Sequence, residues 1–256
     1  MCIIYSIAID KGGTGKTTTT VNLATGLQQR GKKTLIIDLD TQADATKHLG
    51  FNPRQLTRTI NTALTELNVD PFSLILTTDF GLSLIPANKA LDATDRSMKA
   101  PQIGLLEPII SKLAKAYDYI IIDTRRAGSM LTIAAFVVSH YILIPLEAEY
   151  LASDNLEETF TDIRNVQNGL NKGLRVFGIL PTKVRGNTRA GKDVLSEIQG
   201  NPTYAPYLLD IQIKDTVRHV EASGAGLPIQ IYAQQIREPE AAAGYELLAE
   251  RVLNHV

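Results

Sequence analysis

The densest chemistry in this sequence lies in Asp10-Lys11-Gly12-Gly13-Thr14-Gly15-Lys16-Thr17-Thr18. Glycines let consecutive backbone N–H groups curl around phosphate oxygens with no Cβ in the way. Lys16 would bring a point charge to the β and γ phosphates, Thr17 a hydroxyl for magnesium, and the following helix its positive end. The general phosphate-loop pattern has glycine where Asp10 stands, so this is a deviant and more specific form, Lys-Gly-Gly-x-Gly-Lys-Thr-Thr. Three aspartates, Asp38, Asp40 and Asp123, end or follow apolar runs elsewhere. Phosphoryl transfer needs in-line geometry and charge neutralisation more than covalent help, and an acid at a strand end can orient water. One aspartate after a strand is as readily a cap for a loop or helix. Three of them beside a phosphate loop read as a site.

Positioning these groups requires strands that end together. Near-continuous apolar runs predict strands at Ile3–Ile9, Thr34–Leu39, Leu82–Ile85, Tyr119–Ile122, Tyr141–Ile144 and Val176–Leu180. Helical spacing predicts helices over about 16–30, through Ile60, Ala63, Leu64 and Leu67, over 103–116, and near 131–138, 154–168, 190–199, 215–222 and 240–254. A short apolar run, Ile229–Tyr232, is left without a type. Such alternation predicts a single α/β domain over 1–256, a mostly parallel twisted sheet with helices on both faces. Ligands of such folds sit outside the carboxyl ends of the strands, where Lys11–Thr18, Asp38–Gln42 and Asp123–Gly128 fall.

Composition narrows the classes. Among 256 residues the only cysteine is Cys2, which excludes disulfide frameworks and cysteine-rich metal or cluster sites within one chain. The histidines His48, His140, His219 and His255 have no metal spacing. Twenty-six basic and 27 acidic residues give a net charge of -1, so attraction to DNA or anionic lipid must come from a local patch. No leader-like start and no run of roughly 18 to 20 apolar residues is present, which predicts a cytoplasmic chain.

With these motifs in place, the sequence resembles the ParA/MinD-type deviant Walker A ATPases over nearly its whole length. Further shared segments are Leu-Ile-Ile-Asp38-Leu-Asp40-Thr-Gln42-Ala-Asp-Ala-Thr46, Tyr-Asp-Tyr-Ile-Ile-Ile-Asp123, Ile144-Pro145-Leu-Glu-Ala-Glu149-Tyr150, Gly178-Ile-Leu-Pro-Thr182, and Thr216-Val217-Arg218 with Glu221-Ala222. The ParA branch, which includes McdA-like relatives, fits better than the MinD branch. The resemblance implies ATP and Mg2+ as ligands, bound by Lys11, Gly12, Gly13, Thr14, Gly15, Lys16, Thr17 and Thr18. It implies that Lys11 reaches the partner's phosphates in an ATP-sandwich homodimer, that Asp40 positions the attacking water, and that Asp38 and Asp123 stand with Thr17 at the metal.

One departure stands out. The family usually carries prolines after the Asp123 position, whereas this chain has Thr124-Arg125-Arg126. Drift on a solvated loop, altered partner contact and an added phosphate-sensing charge are the alternative readings. Thr41 likewise stands where proline is common.

From Lys172 to Lys192 six basic residues occur with no acid between, and Lys214 and Arg218 follow. This run is either a solvated face or a patch that neutralises DNA phosphates without reading bases. The resemblance favours nonspecific double-stranded DNA and matches Arg218 to a family contact; Arg189 lies near a second such position, where Asn187 aligns instead, and Lys183 and Arg185 join them as expected contacts from the run without acids. It also implies a ParB-like or McdB-like adaptor that stimulates hydrolysis, and nucleoid association. A MinD-like membrane switch is the alternative. The final helix has Arg251 as its only Lys or Arg, beside Glu246 and Glu250. Its Tyr245, Leu248, Val252 and Val256 are expected to pack on the domain rather than on lipid.

Overall fold

The apolar runs form strands because β-branched and leucine side chains can be buried on both faces of a sheet. The computed structural model describes residues 1–126, 128–148, 152–185 and 189–255. Its elements are β1 (Ile3–Ile7), α1 (Lys16–Gln29), β2 (Thr34–Leu39), α2 (Asp44–His48), α3 (Ile60–Thr65), β3 (Leu76–Thr77), β4 (Ser83–Ile85), α4 (Leu91–Ser97), α5 (Leu106–Leu113), β5 (Tyr119–Thr124) and α6 (Met130–Val138). They continue with β6 (Tyr141–Glu147), α7 (Ala152–Gly169), β7 (Arg175–Thr182), α8 (Arg189–Gly200), α9 (Val217–Gly224), α10 (Ile229–Gln235) and α11 (Ala243–Asn254).

The strands make one sheet in the order β3-β4-β2-β5-β1-β6-β7, parallel except for the β3/β4 pair. Three buried clusters cover it. Ile36 and Ile121 share one face with Leu23 and Leu27 of α1 and Leu248 and Val252 of α11. Leu35, Ile37, Ile120 and Ile122 pack on the other face against α5 and α6, and Ile142 and Ile144 pack there against α7. The expected α/β sheet with helices on both faces is therefore present. Tyr245, Leu248 and Val252 of α11 are buried, as expected of a helix that packs on the sheet. Glu149, Tyr150, Asn187 and Val256 lie outside the described residues.

Several boundaries differ from the sequence reading. The helix expected over 103–116 begins as a 3₁₀ segment, Ala100–Leu105, and becomes α-helical only at Leu106. Pro108 accounts for this. It falls in the first turn of α5, where its missing N–H costs nothing, whereas a helix starting at 103 would bury it in the interior. The helix through Ile60 stops at Thr65, leaving Leu67 at 93% exposure. Ile229–Tyr232 opens α10, and α2, α4 and β3 had no expected counterpart.

Candidate functional site

Register brings the acids together. Asp38 of β2 pairs with Asp123 of β5, which in turn pairs with Ile7 of β1. The phosphate loop leaves β1 at that same edge. Gly13 and Gly15 adopt φ of +79° and +89°, a region where a side chain would be strained. Gly15 then caps α1, so the backbone N–H groups of the first helical turn open toward the loop.

Lys16 is 8% exposed, and its Nζ donates to the carbonyls of Lys11 (2.8 Å) and Ile9 (3.4 Å). Burial pushes its pKa down, opposed by the Asp123 and Asp40 carboxylates. Thr17 Oγ1 donates to Asp123 Oδ2 at 2.8 Å, and Thr20 Oγ1 to Oδ1 at 3.0 Å. Asp123 is fully buried, and burial, with Asp38 beside it, holds its pKa well above the usual carboxylate range. A threonine hydroxyl next to a buried carboxylate is a hard oxygen pair of the kind magnesium uses when phosphates supply the rest of its shell. Among the described residues no cluster of three or more acids, histidines or cysteines could hold a metal without such help.

Asp38 does different work. Its Oδ1 accepts from the Asp40 N–H (3.1 Å), and its Oδ2 from the Thr46 N–H (2.9 Å) and Oγ1 (2.6 Å). Burial raises its pKa to about 7 despite these bonds. Both oxygens therefore shape the turn from β2 into α2, and Asp38 stands behind the cleft rather than in its wall. Asp40 does line the cleft; its Oδ1 accepts from Gln42 N–H at 2.9 Å, and burial raises its pKa.

The cleft has a volume of about 970 Å³, walled by Gly12–Gly13 and Gly15–Thr18, Asp40, Arg125, Arg126 and Lys183 among others. A second, more apolar cavity of about 460 Å³ shares Gly15, Thr18, Lys183 and Ser223 with it and extends to Ile213, His219 and Tyr245. Sequence reading missed this slot because its walls come from β7, α9 and α11, far apart in the chain. Thr14 is buried, and its carbonyl accepts from Thr182 Oγ1 at 2.7 Å, tying the loop to β7. Lys11 is partly exposed at the loop's start.

The basic run is altered by its neighbours in space. Arg218 Nε and Nη2 bond both oxygens of Glu238 at 2.7 and 2.6 Å, and Nη1 bonds Glu221 at 3.0 Å. These hydrogen bonds raise its pKa further. Arg185 pairs with Asp215 at 2.6 Å and Lys183 with Glu147 at 3.2 Å. The stretch without acids in sequence is thus supplied with acids by other elements. Arg189 opens α8, but its side chain lies outside the described part. No helix among the described residues is long and apolar enough to cross a membrane.

An AAA-domain family model matches residues 2–176. The sporulation initiation inhibitor protein Soj of Bacillus subtilis is 33% identical over 93% of this chain and 94% of its own. The crystal structure of cobyrinic acid a,c-diamide synthase from Mycobacterium smegmatis with bound ATP analog and magnesium superposes with a TM-score of 0.85 at 27% identity, over 100% of this chain and 96% of that one. Apo McdA of Cyanothece has the same fold, with a TM-score of 0.86 at 23% identity over 98% of this chain and 100% of that one.

Proposed function

Because this chain belongs to the ParA/Soj family of ATPases, we propose that it is an ATP-driven dimerisation switch. In this reading residues 1–256 act as one ATPase domain, and the ATP-bound homodimer holds nonspecific double-stranded DNA. A ParB-like or McdB-like adaptor stimulates hydrolysis and release. Repeated cycles on the nucleoid move or position a cargo, either a plasmid or chromosome or a protein assembly such as a carboxysome.

The observation that carries the reading is the Thr17–Asp123 hydrogen bond at 2.8 Å beside a buried Lys16. In the proposal Lys16 leaves its two backbone carbonyls for the β and γ phosphates, and the N–H groups from Gly12 to Thr18 cradle their oxygens. Magnesium, when bound with the nucleotide, offsets phosphate charge, and Thr17 and Asp123 are the residues that would hold it. Asp40 orients the attacking water, and Asp38 sets the turn that carries Asp40. The apolar slot beside Gly15 and Thr18 takes the base. Lys11 reaches the phosphates of the partner subunit.

Lys183, Arg185, Arg189 and Arg218 form the proposed DNA face. Its acid partners reduce the net charge of one subunit, which supports binding only after dimerisation doubles the face. The buried Tyr245, Leu248 and Val252 of α11 speak against the MinD-like alternative of a terminal helix laid on lipid. Size-exclusion chromatography of the wild type and Lys11→Ala with magnesium and ATP tests the switch. The wild type should shift to a dimer, while Lys11→Ala should bind ATP and stay monomeric. A wild type that remains monomeric with bound ATP defeats the proposal.

A further inference from the structure

Arg125 and Arg126 follow Asp123 on the rim of the cleft, and the structure gives them different surroundings. Arg125 is committed to α4: its Nη1 lies 2.8 Å from Asp95 Oδ2 and 3.5 Å from Asp92 Oδ1. Asp95 is buried and also accepts the Leu131 N–H at 3.3 Å, so this anchor is fixed at both ends. The next backbone carbonyl, that of Arg126, accepts from Thr132 Oγ1 at 3.0 Å.

Arg126 lays its guanidinium against the phosphate loop. A methyl group added at Gly12 would stand 3.7 Å from its Nη2 and 3.9 Å from its Nε. Among the described residues no carboxylate pairs with Arg126. The other surface cations of this cleft each have one: Lys47 with Asp44 at 2.8 Å, Arg125 with Asp95, and Lys183 with Glu147. Arg126 and Lys16 repel each other across the site. Two cations brought together, the outer one without an acid partner, are an arrangement that a bound polyanion stabilises.

The position along that polyanion follows from the loop. Lys16, the group that reaches β and γ phosphates in a phosphate loop, has its Nζ 2.8 Å from the Lys11 carbonyl. Gly12 is the next residue, so the guanidinium over it lies toward the γ end. We propose that Arg126 contacts the γ-phosphate of ATP bound in its own subunit, making the chain discriminate triphosphate from diphosphate with an intramolecular arginine. Arg125 is then a positioning residue, holding the segment through Asp95. The planar fork of an arginine suits two phosphate oxygens at once.

This inference rests on the nucleotide reading above, and one titration series separates the two. Binding of AMPPNP and of ADP, each with magnesium, is measured by calorimetry for the wild type, Arg126→Ala, Arg126→Lys and Lys16→Ala. Removing a charge-assisted hydrogen bond should weaken AMPPNP binding to Arg126→Ala about tenfold or more, with ADP affinity kept within about twofold. Arg126→Lys should recover part of the affinity, since it keeps the charge without the fork. Lys16→Ala should weaken both nucleotides. Unchanged AMPPNP affinity in Arg126→Ala, or an equal fall for both nucleotides, overturns the arginine assignment while leaving the loop reading intact. A wild type that binds neither nucleotide overturns both.

Discussion

Asp38 and Asp123 are register partners on adjacent parallel strands, both fully buried, yet each bonds a different element. Asp38 gives its oxygens to Asp40 and Thr46, Asp123 to Thr17 and Thr20. Burial raises both pKa values, with Asp40 adding repulsion at Asp38 and Asp38 adding it at Asp123, so this pair favours holding a proton. A cation beside Asp123 would displace it. The two acids thus divide their bonds, Asp38 to the turn after β2 and Asp123 to the first turns of α1.

Thr46→Val tests the turn-building half. The Thr46 hydroxyl donates to Asp38 and accepts from the Ala87 N–H at 3.0 Å, all in a buried setting. Removing it leaves both groups short of a partner and should cost about 1–3 kcal/mol in urea unfolding. Wild-type stability in this variant would show that the turn is held otherwise.

Asp40→Ala should separate turnover from binding. The side chain lines the cleft and, among the described residues, bonds only its own turn at Gln42. Steady-state hydrolysis should fall by about 100-fold or more. ATP affinity should change far less, and a magnesium-ATP dimer should persist on sizing. Normal turnover would remove Asp40 from the mechanism.

His48 gives a pH dependence of known sign. Burial pushes its pKa from 6.5 to about 4, with a smaller push from His219 and an opposing hydrogen bond to the Leu227 carbonyl. Between these values the unfolded chain binds the proton and the native chain does not, so this contribution to stability falls on acidification. Asp38, raised to about 7, acts with the opposite sign over the same range. Comparison with His48→Gln therefore isolates the histidine. From pH 7 to pH 5 the wild type should lose about 1–2 kcal/mol more than the variant in denaturant titrations.

The Arg218–Glu238 pair makes the DNA reading two-sided. With magnesium-ATP, Arg218→Ala should weaken binding to unrelated duplexes alike and flatten the salt slope by roughly 0.9 for each DNA phosphate it no longer neutralises. Glu238→Gln frees the guanidinium from its bidentate partner and should strengthen binding. Filter binding at several salt concentrations reads both. If neither variant shifts affinity or slope, Arg218 serves the α9 surface alone.

Legibility follows range. The loop from Lys11 to Thr18 is readable because neighbouring residues build it, and β1, β2 and β5 because each run is apolar on both faces. The two-residue β3 is too short for any pattern. α4 offers no apolar stripe: of Leu91–Ser97 only Leu91 and Asp95 are buried, and Asp95 is there for Arg125. The acids that meet Lys183, Arg185 and Arg218 are invisible along the chain, since Glu147, Asp215 and Glu238 are brought in by folding. Asp38 stands out in the sequence as a site residue, but its engagement with Thr46 depends on a turn no local signal specifies.

The row Asp38–Asp123–Ile7 also decides which lengths of chain this protein tolerates. Side chains along a strand alternate between faces, so one residue inserted ahead of Asp123 would turn its carboxyl away from α1 and into the apolar layer of Leu131 and Ala134. The same insertion in β2 would bury the Asp38 carboxyl among leucines. Single deletions there are equally damaging, whereas the 51–59 segment, outside any strand, has no face to keep. Length variation among functional versions of this chain should therefore gather between strands, with the spacing inside β2 and β5 held to the residue.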